Sequence, residues 1–369
     1  MKIKCAKTFF IAIAIITACA VVLAGALSAC APAIIGKLSA DSVLKAYSRE
    51  FYYLNTVINI TLYASYEREG ESALDAAEAV FERVHKLMDR FGEYSDIYKI
   101  NHAPPGGGPV RVGAETFSLI KKAIGYCEQS GGAFDIGIGA VSDLWGFTAQ
   151  DGEVVNEGAA PPDRRLLEDA VAAGGYKKII LDESELSVEM PPGMMIDLGG
   201  IAKGYAVKSA AAVLVESGII NAVIDAGGNV HVIGGRPGTG SGTDAGRPWK
   251  VGIRHPRPAK TGDLLAVVSV TDKSIVTSGD YVRYYEYEGT RYHHILDPST
   301  GMPARSSISA TIIADDSALA DYLSTAVFVL GPEEGLKLVA QYPGAEAIVV
   351  APDMSVTASP GFDGEILLK

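Results

Sequence analysis

The chain has 369 residues, enough for one large domain or two, and its 48% hydrophobic and 21% charged residues supply a sizeable core and exclude a disordered chain. Its 32 Lys and Arg stand against 44 Asp and Glu, a formal charge of −12. With no long basic run and no RNA-binding aromatic motif, that balance argues against a nucleic-acid partner.

Lys2, Lys4 and Lys7 precede an apolar run over residues 9–29 that ends in Leu27-Ser28-Ala29-Cys30. The run is longer than an ordinary export signal and long enough to span a bilayer, so an uncleaved membrane anchor is one reading. The other follows from Leu-Ser-Ala-Cys, which resembles the bacterial lipobox. There a signal peptide, residues 1–29, is removed and Cys30 is lipidated, leaving an extracytoplasmic protein held to a membrane by its lipid. Removing three lysines leaves 29 basic against 44 acidic residues, a charge of −15. Cys5 and Cys19 leave with the leader, so Cys127 alone remains in the body and an intramolecular disulfide is excluded. Cys127 lies in an apolar helical pattern and reads as a small core residue; no zinc site or redox pair is present.

Residues 30–50 read as a tether and 51–369 as one domain. Residues 57–63 alternate as a half-buried strand. Ala73, Leu74, Ala77, Val80, Phe81, Val84, Leu87 and Met88 recur at helical spacing within residues 72–89. A Pro/Gly loop occupies residues 101–108, and a helix over 115–129 stops at Gly131-Gly132. Another helix follows Pro162, and residues 176–181 and 185–190 pair as a hairpin. A helix over 201–217 precedes strands at 221–225 and 230–233, and residues 234–246 form a Gly/Ser/Thr loop. Strands recur at 250–254, 264–271, 281–287, 291–296 and 307–313. Helices at 317–330 and 333–341 then precede two final strands. Interspersed helices and hairpins indicate an α+β fold with mainly antiparallel sheet.

Five segments are unusual for a plain core. Gly131-Gly132-Ala133-Phe134-Asp135 is followed by Asp143-Leu144-Trp145-Gly146-Phe147. Asp197-Leu198-Gly199-Gly200-Ile201-Ala202-Lys203-Gly204 sets a carboxylate, a glycine pair and a lysine at a helix start, where glycine admits close backbone approach and free N–H groups suit a phosphate-bearing ligand. Its spacing fails the Walker A pattern. An ordinary strand-to-helix turn, with a structural salt bridge between Asp197 and Lys203, is the plain alternative. Asp225-Ala226-Gly227-Gly228-Asn229 is the third segment. The fourth runs from Thr277-Ser278-Gly279-Asp280-Tyr281 to Arg291-Tyr292-His293-His294-Ile295-Leu296-Asp297-Pro298-Ser299-Thr300-Gly301-Met302-Pro303. In the fifth, Asp321 and Thr325 stand at i and i+4, so carboxylate and hydroxyl share one helix face and can converge on a cation. Such a pair more often simply faces solvent.

In this order the five segments closely resemble the ApbE family of FAD:protein FMN transferases, over residue 51 to the C-terminus. The resemblance implies a single ApbE-like, T-fold-related α+β domain with a deep flavin cleft. It implies FAD as substrate, Mg²⁺ as cofactor, and transfer of FMN to a threonine of a partner protein, with AMP leaving. Partners of that kind are exported flavoproteins, including subunits of Rnf- or Nqr-like membrane redox complexes. Asp197, Lys203, Ala133, Phe134, Asp135 and Ile295 match FAD-contacting positions. Gly200, through its carbonyl, and Asp321, Ser324 and Thr325 match the metal positions. Where the family places a tyrosine stacked on the cofactor, this chain has Phe91, or Tyr94 if the register shifts. Phenylalanine keeps the π-face and loses the hydroxyl. His294 is the candidate proton acceptor because imidazole titrates near neutrality, with His293 beside it as a rival; Asp321 is the second catalytic candidate. An FAD diphosphatase using water as acceptor, or a non-catalytic FAD-binding lipoprotein, is the alternative.

Overall fold

The structure, a computed structural model, describes residues 44–147, 160–238 and 246–367. The leader, Cys30 and the first part of the tether lie outside these residues, as does the middle of the loop expected at 234–246.

A hairpin of β1 (Lys45–Tyr53) and β2 (Thr56–Ala64) opens the domain. It is followed by α1 (Glu67–Met88), α2 (Asp96–Asn101), β3 (Val110–Arg111), α3 (Ala114–Gln129), α4 (Gly139–Trp145) and α5 (Arg164–Ala173). Next come β4 (Ile180–Asp182), β5 (Ser187–Glu189), α6 (Ala202–Glu216), β6 (Ala222–Ala226), β7 (Asn229–Ile233), β8 (Trp249–Arg254), β9 (Leu264–Val270) and β10 (Ser274–Gly279). The chain continues through β11 (Tyr284–Tyr287), β12 (Thr290–His293), β13 (Ser309–Ala314), α7 (Ser317–Val339), β14 (Glu346–Val350), β15 (Val356–Ala358) and β16 (Glu365–Ile366).

The main sheet has the order β1-β2-β6-β7-β10-β13-β14-β15, every neighbour antiparallel. Strand alternation sends its two faces into different cores. Val276, Ile312 and Val349 join the larger core with the helices, whereas Ile275, Ile313 and Ile348 pack with Ile253, Leu265 and Val268 of β8 and β9. Covered on both faces, β13 is buried throughout. The stripe Ala73, Leu74, Ala77, Val80, Phe81 and Val84 of α1 enters the larger core. Each large apolar side chain so buried contributes about 1.5–3 kcal/mol. Among the described residues no helix is long and apolar enough to cross a membrane.

Several departures from the sequence reading have clear causes. Residues 45–50, expected in the tether, belong to β1. Lys45, Ser48 and Glu50 are exposed on this edge strand, while Arg49 reaches three carboxylates of α1, Glu71 (2.8 Å), Asp75 (2.6 Å) and Glu78 (3.0 Å). β10 was not expected as a strand, because Ser-Ile-Val-Thr-Ser-Gly is short and polar at one end; pairing with β7 on one side and β13 on the other makes it central. Residues 176–178 form a 3₁₀ turn before the expected hairpin, and three strands, not two, follow α7. The two helices expected after residue 317 meet at a kink, where Gly331 takes φ 83° and Pro332 restarts the helix without needing its absent N–H.

α6 crosses α7 at Gly204. A Cβ there would lie 2.6 Å from the Asp321 Cβ and against the Ser317 carbonyl. Gly204→Ala is therefore expected to lower unfolding free energy by about 1–3 kcal/mol. Gly125→Ala on α3, where a Cβ meets nothing within 4 Å, should be neutral or stabilising by about 0.5–1 kcal/mol. Chemical denaturation of both variants checks the contrast.

Candidate active site

A cleft of about 350 Å³ lies where the β1–β2 turn, the segment after α1, the start of α6, the β10–β11 connection and α7 meet. That volume falls in the range of small-molecule sites. One lip is the turn Leu54-Asn55, both residues at positive φ (54° and 56°), the two-residue geometry that suits the twist of a hairpin. Phe91, Ala133, Phe134, Asp135, Asp197 and Lys203 all line the cleft, and so do Gly200, His294, Ile295, Asp321 and Thr325. The structure thus brings together residues from across the chain, as the resemblance implied.

The start of α6 and the middle of α7 form one wall. Ile201, the N-cap of α6, offers no side-chain acceptor. Asp321 supplies one from the neighbouring helix: its Oδ2 accepts the Gly204 N–H at 2.8 Å. One of the free N–H groups proposed for a phosphate is thereby already engaged. A carboxylate at a helix N-terminus is stabilised by about 0.3–1 kcal/mol. Lys203 Nζ donates to the Gly199 carbonyl (3.2 Å) and stands 4.0 Å from Asp321 Oδ1. Gly200 lies against Phe134 and Thr325: a Cβ there would be 2.9 Å from the Phe134 ring and 3.2 Å from Thr325 Oγ1. The Gly200 backbone and the Thr325 hydroxyl are thus neighbours, and that hydroxyl donates to the Asp321 carbonyl at 3.5 Å.

Ser324 differs from its expected companions. Buried and not among the cleft-lining residues, it donates to the Asp321 carbonyl (2.8 Å) and so accepts from Ser278 Oγ (2.8 Å). Its hydroxyl is not presented to the cleft. Asp135 lines the cleft, but its carboxylate accepts the N–H groups of Gly137 (2.7 Å) and Tyr176 (2.9 Å), pinning the loop between α3 and α4. Burial raises its pKa above the ordinary carboxylate value despite those bonds. Phe91 lines the cleft, whereas Tyr94 is exposed and donates to Asp89 (3.0 Å).

Asp197 is paired with Arg90, not with Lys203. Buried Arg90 donates from Nη1 to Asp197 (2.9 Å) and from Nη2 to Asp143 (2.6 Å) and the Gly139 carbonyl (3.1 Å). Burial works to raise Asp197, but Arg90, the Gly199 N–H and Arg283 together hold the carboxylate below its usual range. Arg90 also lies over the Phe91 ring, 5.2 Å from its centroid. Sequence reading missed Arg90 and the cleft-lining Arg283.

The two histidines separate cleanly. His293 is buried, its Nε2–H donating to the Ala304 carbonyl (2.9 Å) and its Nδ1 accepting from the Ile295 N–H (3.3 Å). Both nitrogens are occupied and burial pushes its pKa down to about 4. His294 lines the cleft. Its Nδ1 lies 3.2 Å from the Arg283 carbonyl, an acceptor only, so the proton sits on Nδ1 and the Nε2 lone pair is left free. Burial, then Arg283 and His293, hold His294 well below the ordinary imidazole value. It is a neutral base at neutral pH.

The ApbE family model matches residues 54–349. The FAD:protein FMN transferase of Treponema pallidum (strain Nichols) is 34% identical over 339 residues, 89% of this chain and 90% of that protein. That of Klebsiella pneumoniae (strain 342) is 33% identical over 293 residues, 76% and 85%. Among solved structures, the ApbE protein of Thermotoga maritima MSB8 superposes with a TM-score of 0.75 at 35% identity, covering 86% of this chain and 97% of that one. The apo form of the flavinyl transferase ApbE of Pseudomonas stutzeri gives 0.72 at 26% identity, covering 87% and 96%.

His293 supplies a pH test. The folded state holds it neutral while the unfolded chain takes up a proton near the ordinary imidazole value of 6.5, so its contribution is whole above pH 6.5 and is lost as pH falls toward 4. Unfolding free energy should drop by about 1–3 kcal/mol across that window. His293→Gln should start less stable at pH 7 and lose less on acidification. Equal acid slopes for both proteins would refute this role.

Proposed function

We propose that this chain, which belongs to the ApbE family, moves FMN from FAD to a threonine hydroxyl of an exported partner protein and releases AMP. What supports the reading is the convergence on one cleft of an oxygen-donor group, an aromatic face and an unprotonated imidazole: Gly200, Asp321 and Thr325, with Phe91 and His294.

The donor set fits Mg²⁺. Asp321, Thr325 and the Gly200 carbonyl offer only hard oxygens, as Mg²⁺ prefers. Among the described residues no three His, Cys, Asp or Glu converge as a complete cage. Phosphate oxygens of the substrate would therefore complete the shell, and the bound ion would neutralise charge on the diphosphate. Lys203 adds a cation beside Asp321. Phe91 presents a ring for stacking, Ile295 an apolar surface, and Asp135 and Gly137 hold the backbone at Ala133 and Phe134 in place. The acceptor oxygen bonds to the flavin-side phosphorus, the bridging oxygen leaves with AMP, and the hydroxyl proton passes to His294 Nε2. Positioning and charge neutralisation dominate such transfers, with the base contributing about 10²–10⁴-fold.

Purified protein with FAD, Mg²⁺ and a threonine-bearing partner should yield covalently fluorescent partner and AMP in equal amounts. His294→Gln should cut the rate about 10²–10⁴-fold, and Asp321→Ala or a chelator should nearly abolish it. FMN released at the same rate without partner would make the protein a diphosphatase, and tight FAD retention with no AMP under any metal condition would make it a carrier.

The segment Leu27-Ser28-Ala29-Cys30 supports lipid attachment at Cys30 and an extracytoplasmic address on a bacterial membrane, where subunits of Rnf- or Nqr-like redox complexes are the matching acceptors. Cys30→Ser should move the protein from the membrane to the soluble fraction in cell fractionation. A variant still wholly in the membrane would point to an uncleaved anchor.

A further inference from the structure

Resting on the flavin-nucleotide reading above, we propose that Arg283 is a substrate-contacting residue, its guanidinium gripping the phosphate of the bound flavin nucleotide beside His294. Three cations line the cleft: Arg90, Lys203 and Arg283. Arg90 is saturated by two carboxylates and a carbonyl. Lys203 already donates to the Gly199 carbonyl and lies near Asp321. Arg283 is different: among the described residues its guanidinium makes no ion pair and no side-chain hydrogen bond, although the charge of Asp197 reaches it. Five N–H donors in a planar fork, held in a partly desolvated wall, are unfavourable unless a ligand completes them. Two oxygens of one phosphate match that fork.

The main chain of the same residue fixes where the fork sits. The Arg283 carbonyl accepts from both the backbone N–H (3.1 Å) and the Nδ1 (3.2 Å) of His294. Gly279 and Val282 line the same wall, so the turn after β10 borders the cleft with Arg283 at its end. The guanidinium is thus bound to the backbone that sets the imidazole tautomer. The charged and titratable groups that reach His294 are Arg283, His293 and Lys203, each disfavouring its protonation. One side chain therefore has two effects: it holds a phosphate and keeps the neighbouring base neutral. The ligand class is a phosphate ester of a flavin nucleotide, FAD or FMN, and riboflavin lacks the feature that Arg283 reads.

Binding of FAD, FMN and riboflavin to the mature protein, with Mg²⁺ and with EDTA, should be compared by fluorescence titration for the wild type, Arg283→Gln and Arg283→Lys. Arg283→Gln is expected to weaken FAD and FMN about tenfold or more and to leave riboflavin unchanged. Arg283→Lys should recover part of the loss, because it restores charge without the fork. The acid limb of kcat/KM should move to higher pH in Arg283→Gln, since removing a cation lets His294 protonate more readily; a purely structural role would not shift it. Unchanged FAD binding in Arg283→Gln, or equal weakening of all three flavins, overturns the proposal. Should Arg283→Gln lose its cooperative melt, the Lys variant decides through the same FAD-to-riboflavin ratio. Wild-type protein that binds FAD but labels no partner sinks the transferase reading while the flavin comparison still judges Arg283. Wild-type protein that binds no flavin sinks both.

Discussion

The cleft depends on how closely α6 and α7 cross. Gly204 has no side chain, so the Ser317 carbonyl and the Asp321 Cβ can approach its backbone at distances no Cβ would permit. That approach lets Asp321 cap a helix to which it does not belong, through a 2.8 Å bond to the Gly204 N–H. A helix start with no capping residue of its own and a buried carboxylate that needs a donor solve each other's problem. The same crossing sets Thr325, one turn further along α7, against Gly200.

Charge is arranged locally, against the sign of the whole. A body with 44 acidic residues lines its cleft with Arg90, Lys203 and Arg283. Low-dielectric walls make these few charges count for more than distant surface carboxylates, which solvent and salt screen. Arg90 ties Asp197 to Asp143 and stands over Phe91, so an aromatic ring and a carboxylate from distant segments share one support. Desolvation, reinforced by neighbouring positive charge, keeps His294 neutral. The positive charge lining the cleft therefore also lowers the proton affinity of its imidazole.

Legibility tracked the range of the physical cause. Elements with one strong amphipathic period, such as α1 and α3, could be read because the pattern is local. Edge strand β1 could not: Lys45, Ser48 and Glu50 belong to a solvent face, and its pairing with β2 and the reach of Arg49 to α1 exist only in the fold. β10 failed for the opposite reason, since its neighbours β7 and β13, not its own residues, make it a central strand. The cleft-lining residues that sit in contiguous motifs were recovered, whereas Arg90 and Arg283, outside those motifs, were not. Ser324 is the instructive exception. Its motif placed it with Asp321 and Thr325, yet its hydroxyl is engaged by the Asp321 carbonyl and Ser278 and it does not line the cleft.

By itself the sequence determined the α+β class, the helical stripes, and most of the residues that gather at the cleft. Tertiary structure alone decided who pairs with whom: Arg90 rather than Lys203 with Asp197, Asp321 with the Gly204 N–H, and His294 rather than His293 at the cleft. The reason is that periodicity and motif order are properties of neighbours along the chain. Hydrogen-bond partners and desolvation are set by segments far apart in the chain, 117 residues for Gly204 and Asp321, and exist only once the chain has folded.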